Sequence, residues 1–249
     1  MPRSHSTLPR LHVEPDLEAG AKIMLGPEQS AYLLTVLRRA EGDGVVVFNG
    51  RDGAWLGRIV AAGKKGVTLE LAVQAAHQTP PSELWFGFAP LKTGRLDYLV
   101  QKATEMGAGT IQPVLTEFTQ VHRLKPEKLR AYALEAAEQC EVLTLPVIAP
   151  EIALGRLLDT WRPTQGLRRL LFADETEPSA SPRLRIAELR GLPVGLLIGP
   201  EGGFSAAERA LLLAQDFVVP ISLGPRILRA DTAAVAALAV IQAIIGDWR

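Results

Sequence analysis

The chain holds a single cysteine, Cys140, among its 249 residues. That excludes an internal disulfide framework and suits a reducing compartment. It has no net charge, with 27 basic side chains against 27 acidic ones. No global field therefore draws it onto nucleic acid, although a local basic patch stays open. It also lacks a long hydrophobic run. The longest, "AAVAALAVIQAII" (Ala233–Ile245), falls well short of the roughly 20 apolar residues that span a bilayer, and it reads as a buried helix. The opening "MPRSHSTLPRLHVEP" has no apolar core of a signal peptide, so a cytoplasmic protein without membrane contact is expected. His5, His12, His77 and His122 are scattered without metal-ligand spacing, and no metal is expected. Neither G-x-x-x-x-G-K-[ST] nor G-x-G-x-x-G at a first strand–helix turn occurs, so two common cradles for nucleotide phosphates are missing.

What is there is a globular composition, 47% hydrophobic and 22% charged, arranged in two textures. Up to residue 74 the chain carries short β-like runs, "GVVVFNG", "AWLGRIVAA" and "GVTLELAV", set off by turn chemistry in "EGDG", "GRDG" and "GKKG". The stretch "PEQSAYLLTVLRRA" reads as one amphipathic helix with Leu33, Leu34 and Leu37 on one side. Residues 1–74 are thus expected to form a small β-barrel-like domain. The paired prolines of "AAHQTPPSE" predict a linker over 75–83. From 84 to 249, apolar strands alternate with helices: "LWFGFAPL", "TIQPVLT", "LRRLLFAD", "VGLLIG" and "FVVPISLG" against "GRLDYLVQKATEMG", "PEKLRAYALEAAEQC", "SAAERALLLAQ" and the alanine-rich terminal helix. That alternation predicts a parallel α/β sheet covered on both faces. Cys140, Tyr98 and Met106 lie in helical stretches, and packing is the expected role of each.

Two loops hold the chemistry. "LLIGPEGGFSAAE" (Leu196–Glu208) stops a buried strand at Gly-Pro-Glu-Gly-Gly and starts a helix at once, with Ser205 and Glu208 at the spacing of a capping box. "ISLGPRILRADTAA" (Ile221–Ala234) again ends a strand with Gly-Pro and leads into a helix, capped by Asp231 or Thr232. In an open parallel sheet, ligands bind off the carboxyl ends of the strands. If the two strands are neighbours, the loops form two walls of one pocket. Glycines let a backbone approach a ligand closely. Glu201 would repel a polyphosphate and suits a cationic or neutral polar ligand, such as the sulfonium and ammonium of S-adenosylmethionine.

These loops, with "LKTGRLDYLVQKATEMGA" (Leu91–Ala108), "PRLHV", "YLLTVLRR" and the terminal "GDWR", resemble the SPOUT-class RNA methyltransferases over nearly the whole chain. Within that class they are most similar to the branch that methylates N3 of a uridine in 16S ribosomal RNA. The resemblance implies a SPOUT-type α/β sheet with a C-terminal trefoil knot, a preceding PUA-like β-barrel that helps bind RNA, and a homodimer. It implies S-adenosylmethionine held by Leu197, Ile198, Gly199, Pro200, Glu201, Gly202 and Gly203 together with Leu223, Gly224, Ile227, Leu228 and Arg229. The partner it implies is 16S rRNA or the assembled small subunit. This chain departs from the family pattern at Phe118 and Val142, where arginine is usual, and at Asp231, where glutamate is usual. Those departures bear on how the substrate is held more than on the cofactor.

For the chemistry, Arg229 is the expected stabiliser of negative charge on the acceptor, because a guanidinium is always charged and forked. Asp231 is a candidate base, with a capping role standing beside it. Arg226 is a second candidate for the acceptor or for RNA. Further RNA contacts are expected at Arg10, Arg38 and Arg39, with Lys64-Lys65 and "HRLKPEKLR" (His122–Arg130) as weaker ones. Other readings remain: a related enzyme acting on another base or a ribose, or an RNA-binding assembly factor without catalysis.

Overall fold

The computed structural model describes residues 8–63, 66–91, 94–120, 124–176 and 181–248. Its contacts separate two compact units. One comprises the chain up to Pro81 together with Ala137–Leu145, and the other Ser82–Ala136 with Pro146 onward.

The first unit is a five-stranded sheet of β1 (Arg10–His12), β2 (Lys22–Met24), β3 (Gly44–Phe48), β4 (Ala54–Gly63) and β5 (Gly66–Ala76) in the order β1-β3-β4-β5-β2. Only the β1–β3 pair is parallel. Alternate residues of the strands, Val45 and Val47, Leu69 and Leu71, meet Leu11, Ile23 and Leu33 in one core, as the two-residue period of a strand requires. The turn from β3 to β4 is knitted by Asp52, whose Oδ2 accepts from the Leu17 amide and from Asn49 Nδ2 at 2.9 and 2.7 Å. Those hydrogen bonds, the Asn49 one first, hold its carboxyl below the usual range. Gly53 has φ 78°, and a Cβ there would lie 2.2 Å from the Ala76 carbonyl oxygen, so no other residue fits.

The helix expected over 27–40 is shorter and differently wound. α1 (Pro27–Ala31) passes into a π-helical turn at Tyr32–Val36, and Arg38 sits at φ 53°. A left-handed residue cannot continue a right-handed helix. Arg38 and Arg39 therefore lie beyond the helix and not in its last turn.

In the second unit the elements run β6 (Trp85–Phe88), α2 (Leu96–Glu105), β7 (Thr110–Leu115), α3 (Pro126–Cys140), β8 (Val147–Ile148), β9 (Ile152–Ala153), α4 (Leu154–Gln165), β10 (Arg169–Ala173), α5 (Pro182–Ala187), β11 (Val194–Ile198), α6 (Ala206–Leu213), β12 (Val218–Ile221) and α7 (Ala230–Ile244). The strands form one parallel sheet in the order β12-β10-β11-β6-β7-β8, with β9 also on β7. Both faces are covered, as the continuous apolar strands require. Phe86, Leu171, Leu196, Ile198, Val219 and Ile221 face a core built with α2, α5 and α7. Their neighbours Trp85, Leu170, Phe172, Leu197 and Val218 face α4 and α6. Burying each such large side chain contributes about 1.5–3 kcal/mol.

α4, β8, β9, α5 and β2 went unread in the sequence. In α4, Leu154, Leu157, Leu158 and Trp161 are all buried, a helical period, but Pro163 obscured it. The proline lies inside the helix two residues before its end, where it gives up one backbone hydrogen bond. Cys140 is exposed at the end of α3 and is not a core residue. Tyr98 is likewise 44% exposed, whereas Met106 packs on the core. Lys64, Lys65, His5, His122 and Arg123 lie outside the described residues. Among the described residues no helix is long and apolar enough to cross a membrane.

Candidate functional site

The carboxyl ends of β10, β11 and β12 open onto one cavity of about 650 Å³. The two Gly-Pro loops do share it, but their strands are not neighbours: β10 stands between β11 and β12. A third loop, the one after β10, therefore supplies the floor.

That floor is anchored by Asp174. Its backbone N–H donates to the Ile221 carbonyl at 3.0 Å, tying the end of β10 to the end of β12. Its side chain is 3% exposed and is gripped by Arg209 of α6 through Nε and Nη2, both at 2.9 Å. The other oxygen, Oδ1, accepts from the Thr176 amide and hydroxyl at 3.0 and 2.8 Å. Desolvation pushes its pKa up, but the Arg209 hydrogen bond, the two Thr176 bonds and the arginine charge outweigh this and hold the carboxyl below its ordinary value. Glu175, next along, lies against Gly203: its Oε1 is 3.2 Å from where a Cβ at 203 would stand.

The wall after β11 is a tight turn closed by the Gly203 amide donating to the Pro200 carbonyl at 2.9 Å. Gly203 has φ 71°, and a Cβ at Gly199 would stand 2.9 Å from the Phe204 ring. The ring of Phe204 packs edge-on against Phe172 at 5.4 Å. The expected capping box is present. Ser205 Oγ accepts from the Glu208 amide at 3.2 Å, and Glu208 Oε2 accepts from the Ser205 amide at 3.0 Å. Oε1 of the same carboxylate accepts from the Glu117 amide at 2.8 Å.

The wall after β12 is looser. Gly224 has φ 102°, Ile227 is 85% exposed, and Leu223 and Leu228 turn partly into the core. The last helix is not capped by Asp231 or Thr232. Its N-cap is Arg229, at φ −64° and ψ 151°, without a side-chain cap bond. Asp231 falls within the first turn, where its Oδ1 accepts from the Thr232 amide at 2.9 Å.

Ile198, Gly199, Pro200, Glu201, Gly203, Leu223, Gly224, Ile227, Leu228, Arg229 and Arg226 all line the cavity. Leu197, Gly202 and Asp231 stand outside its lining. Leu197 points to the α4 and α6 face because strand side chains alternate, and Gly202 backs onto Phe118. Phe172, Asp174, Glu175, Thr176 and Arg209 line it as well. For the first four the signal in the sequence is "FADET" directly after an apolar strand; Arg209 lies in α6, outside that motif. Among the described lining residues, three acids (Asp174, Glu175, Glu201) face three arginines (Arg209, Arg226, Arg229). Such a balance suits a zwitterion better than a polyanion.

The other arginines divide. Arg10 is half-buried, with its guanidinium 5.5 Å from the centre of the Phe48 ring. Burial lowers its pKa, opposed by the charges of Glu141 and Glu138. Arg38 is exposed; Arg39 is half-buried, and its buried Nε has no hydrogen-bond partner among the described residues.

Family comparison agrees with this geometry. Residues 78–242 match the model of an RNA methyltransferase domain and residues 25–72 that of an RNA methyltransferase PUA domain. The chain is 33% identical over 235 residues to "Ribosomal RNA small subunit methyltransferase E" of Rickettsia conorii, covering 94% of each chain. It is 34% identical over 241 residues to the protein of that name from Synechocystis, covering 95% of this chain and 78% of that one. Among solved structures it superposes on a putative methyltransferase from Legionella pneumophila, solved in complex with bound SAM, with a TM-score of 0.82 and 29% identity, covering 95% and 97% of the two chains. It also superposes on the small subunit methyltransferase E of Neisseria gonorrhoeae, bound to S-adenosyl methionine, with a TM-score of 0.85 and 25% identity, covering 97% and 100%. A parallel α/β sheet of SPOUT type behind an N-terminal PUA domain, with matches to both family models, means that the chain belongs to the RNA methyltransferase family.

Proposed function

We propose that the protein transfers a methyl group from S-adenosylmethionine to N3 of a uridine in 16S ribosomal RNA. The observation that carries this reading is the single cavity in which three strand-end loops meet with balanced charge and closely approachable glycine backbone. Its relatives named small subunit methyltransferase E, together with two similar solved structures that hold the methyl donor, one of them of that name, support the same substrate and cofactor.

The cavity fits such a donor. Backbone groups of Gly199–Gly203 and Leu223–Arg229 would hold its neutral parts, and the acids of the lining its ammonium. When bound, it supplies an electrophilic methyl carbon on a sulfonium. The acceptor nitrogen must approach that carbon in line with the bond that breaks, and it must lose its imide proton, because neutral N3 is a poor nucleophile. Arg229 lines the cavity at the amino end of α7, where both its charge and the helix dipole favour negative charge on the uracil oxygens. Arg226, on the same loop, would take an adjacent phosphate or oxygen. Asp231 is engaged with the Thr232 amide, and we assign it to first-turn stabilisation, with the proton passing to solvent. Arg38 and Arg39 are assigned to RNA binding by the PUA-like unit; the half-buried Arg10 braces that unit on Phe48.

We also propose a trefoil-knotted C-terminal segment and a homodimer in the cytoplasm. The threading is supported by the place of β12 beyond β10 while α7 packs back onto α2, α5 and β11. The dimer is supported by the exposed apolar side chains Ile227, Tyr98 and Trp248.

The test is methylation of assembled small subunits beside naked 16S rRNA, with the modified base mapped by mass spectrometry. N3-methyluridine at one site in either substrate is the expected result. Donor binding undetectable by calorimetry in the millimolar range would instead favour a noncatalytic assembly factor, and a different modified base or ribose would overturn the assignment to uridine.

A further inference from the structure

Phe118 is an aromatic ring left 44% exposed in the turn after β7. A lone exposed ring needs no explanation, but this one is held in place from three sides. The turn that bears it is pinned by buried Thr116 and Thr119. The Thr116 amide donates to Thr119 Oγ1 at 2.9 Å, the Thr119 amide to the Thr116 carbonyl at 3.1 Å, and the two hydroxyls lie 2.9 Å apart. The Glu117 amide is tied to Glu208 Oε1, the carboxylate that caps α6. Phe118 itself backs onto Gly202, whose missing Cβ would stand 3.5 to 3.7 Å from its Cβ, Cδ2 and Cγ. Gly202 lies between Glu201 and Gly203, both of which line the cavity. The ring is therefore fixed one residue outside the cavity wall, with part of its surface open to solvent.

We infer that Phe118 is a stacking platform for an unpaired base of the substrate RNA at the mouth of the cavity. The inference rests on the reading under Proposed function. An acceptor base must be brought out of any stack to reach the methyl carbon, and single-stranded RNA is gripped by aromatic side chains against its base faces. Arg226 and Arg229 in the cavity lining supply the charge for that grip. Phe118 supplies the uncharged face that every base can use. Glu208 gives the platform its registry, since one carboxylate holds both the Phe118 turn and the helix that follows the glycine loop.

The experiment compares wild type with Phe118→Ala, Phe118→Leu and Phe118→Trp, using assembled small subunits that lack the modification. Steady-state kinetics is run at saturating S-adenosylmethionine, donor affinity is measured by calorimetry, and RNA affinity is measured across a salt series. Loss of one stacked base corresponds to roughly 5- to 150-fold. The expected result is a rise of that order in KM for the subunit in the alanine and leucine variants, with Trp within about threefold of wild type on the same scale. Donor affinity and the slope of RNA affinity against salt stay unchanged, because no ionic contact is removed. A leucine variant as good as wild type would overturn the inference by showing that apolar contact suffices. So would an equal loss of donor affinity, which would make Phe118 a prop for the glycine loop. A wild-type protein that methylates neither assembled subunits nor naked 16S rRNA would overturn the underlying reading, and this inference with it. A normal wild type with an unaffected alanine variant would overturn the inference alone.

Discussion

Arg229 and Asp174 both carry charge at the cavity, and the structure gives them opposite duties. Arg229 lines it as the N-cap residue of α7 with no side-chain cap bond, so removing its side chain should leave the fold and the donor site standing. Arg229→Ala is expected to lower single-turnover methylation by about 10²–10³, the range for removing one preorganised donor to developing charge. Calorimetry should find donor affinity nearly intact, and undiminished turnover would remove the residue from the chemistry. Asp174 is 3% exposed and holds Arg209, so removing it takes a buried charged partner from that guanidinium. Asp174→Ala should cost about 3 kcal/mol in urea unfolding, the low end for a broken buried pair, since Arg209 keeps some solvent contact. The sign with pH follows from a folded pKa below the unfolded one. The stabilisation is complete above the unfolded value near 4 and is lost as pH falls through the folded one. The gap between wild type and Asp174→Asn should accordingly close in unfolding curves taken below about pH 4. A gap that stays constant down to pH 3 would contradict that pairing.

Among the elements, α6 shows what a capping box does beyond its own helix. Ser205 and Glu208 satisfy each other's amides, and Glu208 also takes the Glu117 amide. Ser205→Ala should cost about 1 kcal/mol, whereas Glu208→Ala should cost more and loosen two loops at once. Hydrogen exchange at the Glu117 amide would register that difference. The box was legible from the spacing of Ser205 and Glu208, and α3 from the apolar pattern of "PEKLRAYALEAAEQC", because both are local. The apolar strands were legible too, since a strand buried on both faces shows as an unbroken run in the chain. What local pattern does not carry is strand order. Nothing in "LLFADET" says that β10 inserts between β11 and β12, so the sequence assigns no role to Asp174, Glu175 and Thr176 and leaves open whether the two Gly-Pro strands are neighbours. The family resemblance places Leu197 with the ligand, although the two-residue period sends its side chain to the other face. The π-helical turn at Tyr32–Val36 had no signature at all, because the leucine spacing there fits an ordinary helix equally well.

For the molecule as a whole, a net charge of zero means that RNA affinity must come from a few placed cations. If Arg38 contacts a phosphate, Arg38→Glu should flatten the plot of log affinity against log salt by about 0.7 for a single-stranded contact. Parallel slopes for variant and wild type would exclude Arg38. Donor binding should also stabilise the chain by about 2.7 kcal/mol at a hundredfold excess over Kd, visible as a raised unfolding midpoint. The order β12-β10-β11 has a consequence for synthesis on the ribosome. The floor of the cavity is made first, the wall after β11 next, and the facing wall after β12 last. A nascent chain halted before Leu223 lacks the wall formed by Leu223–Arg229. The cavity is thus assembled in chain order, and the loop after β12 is the last of its three walls to be made.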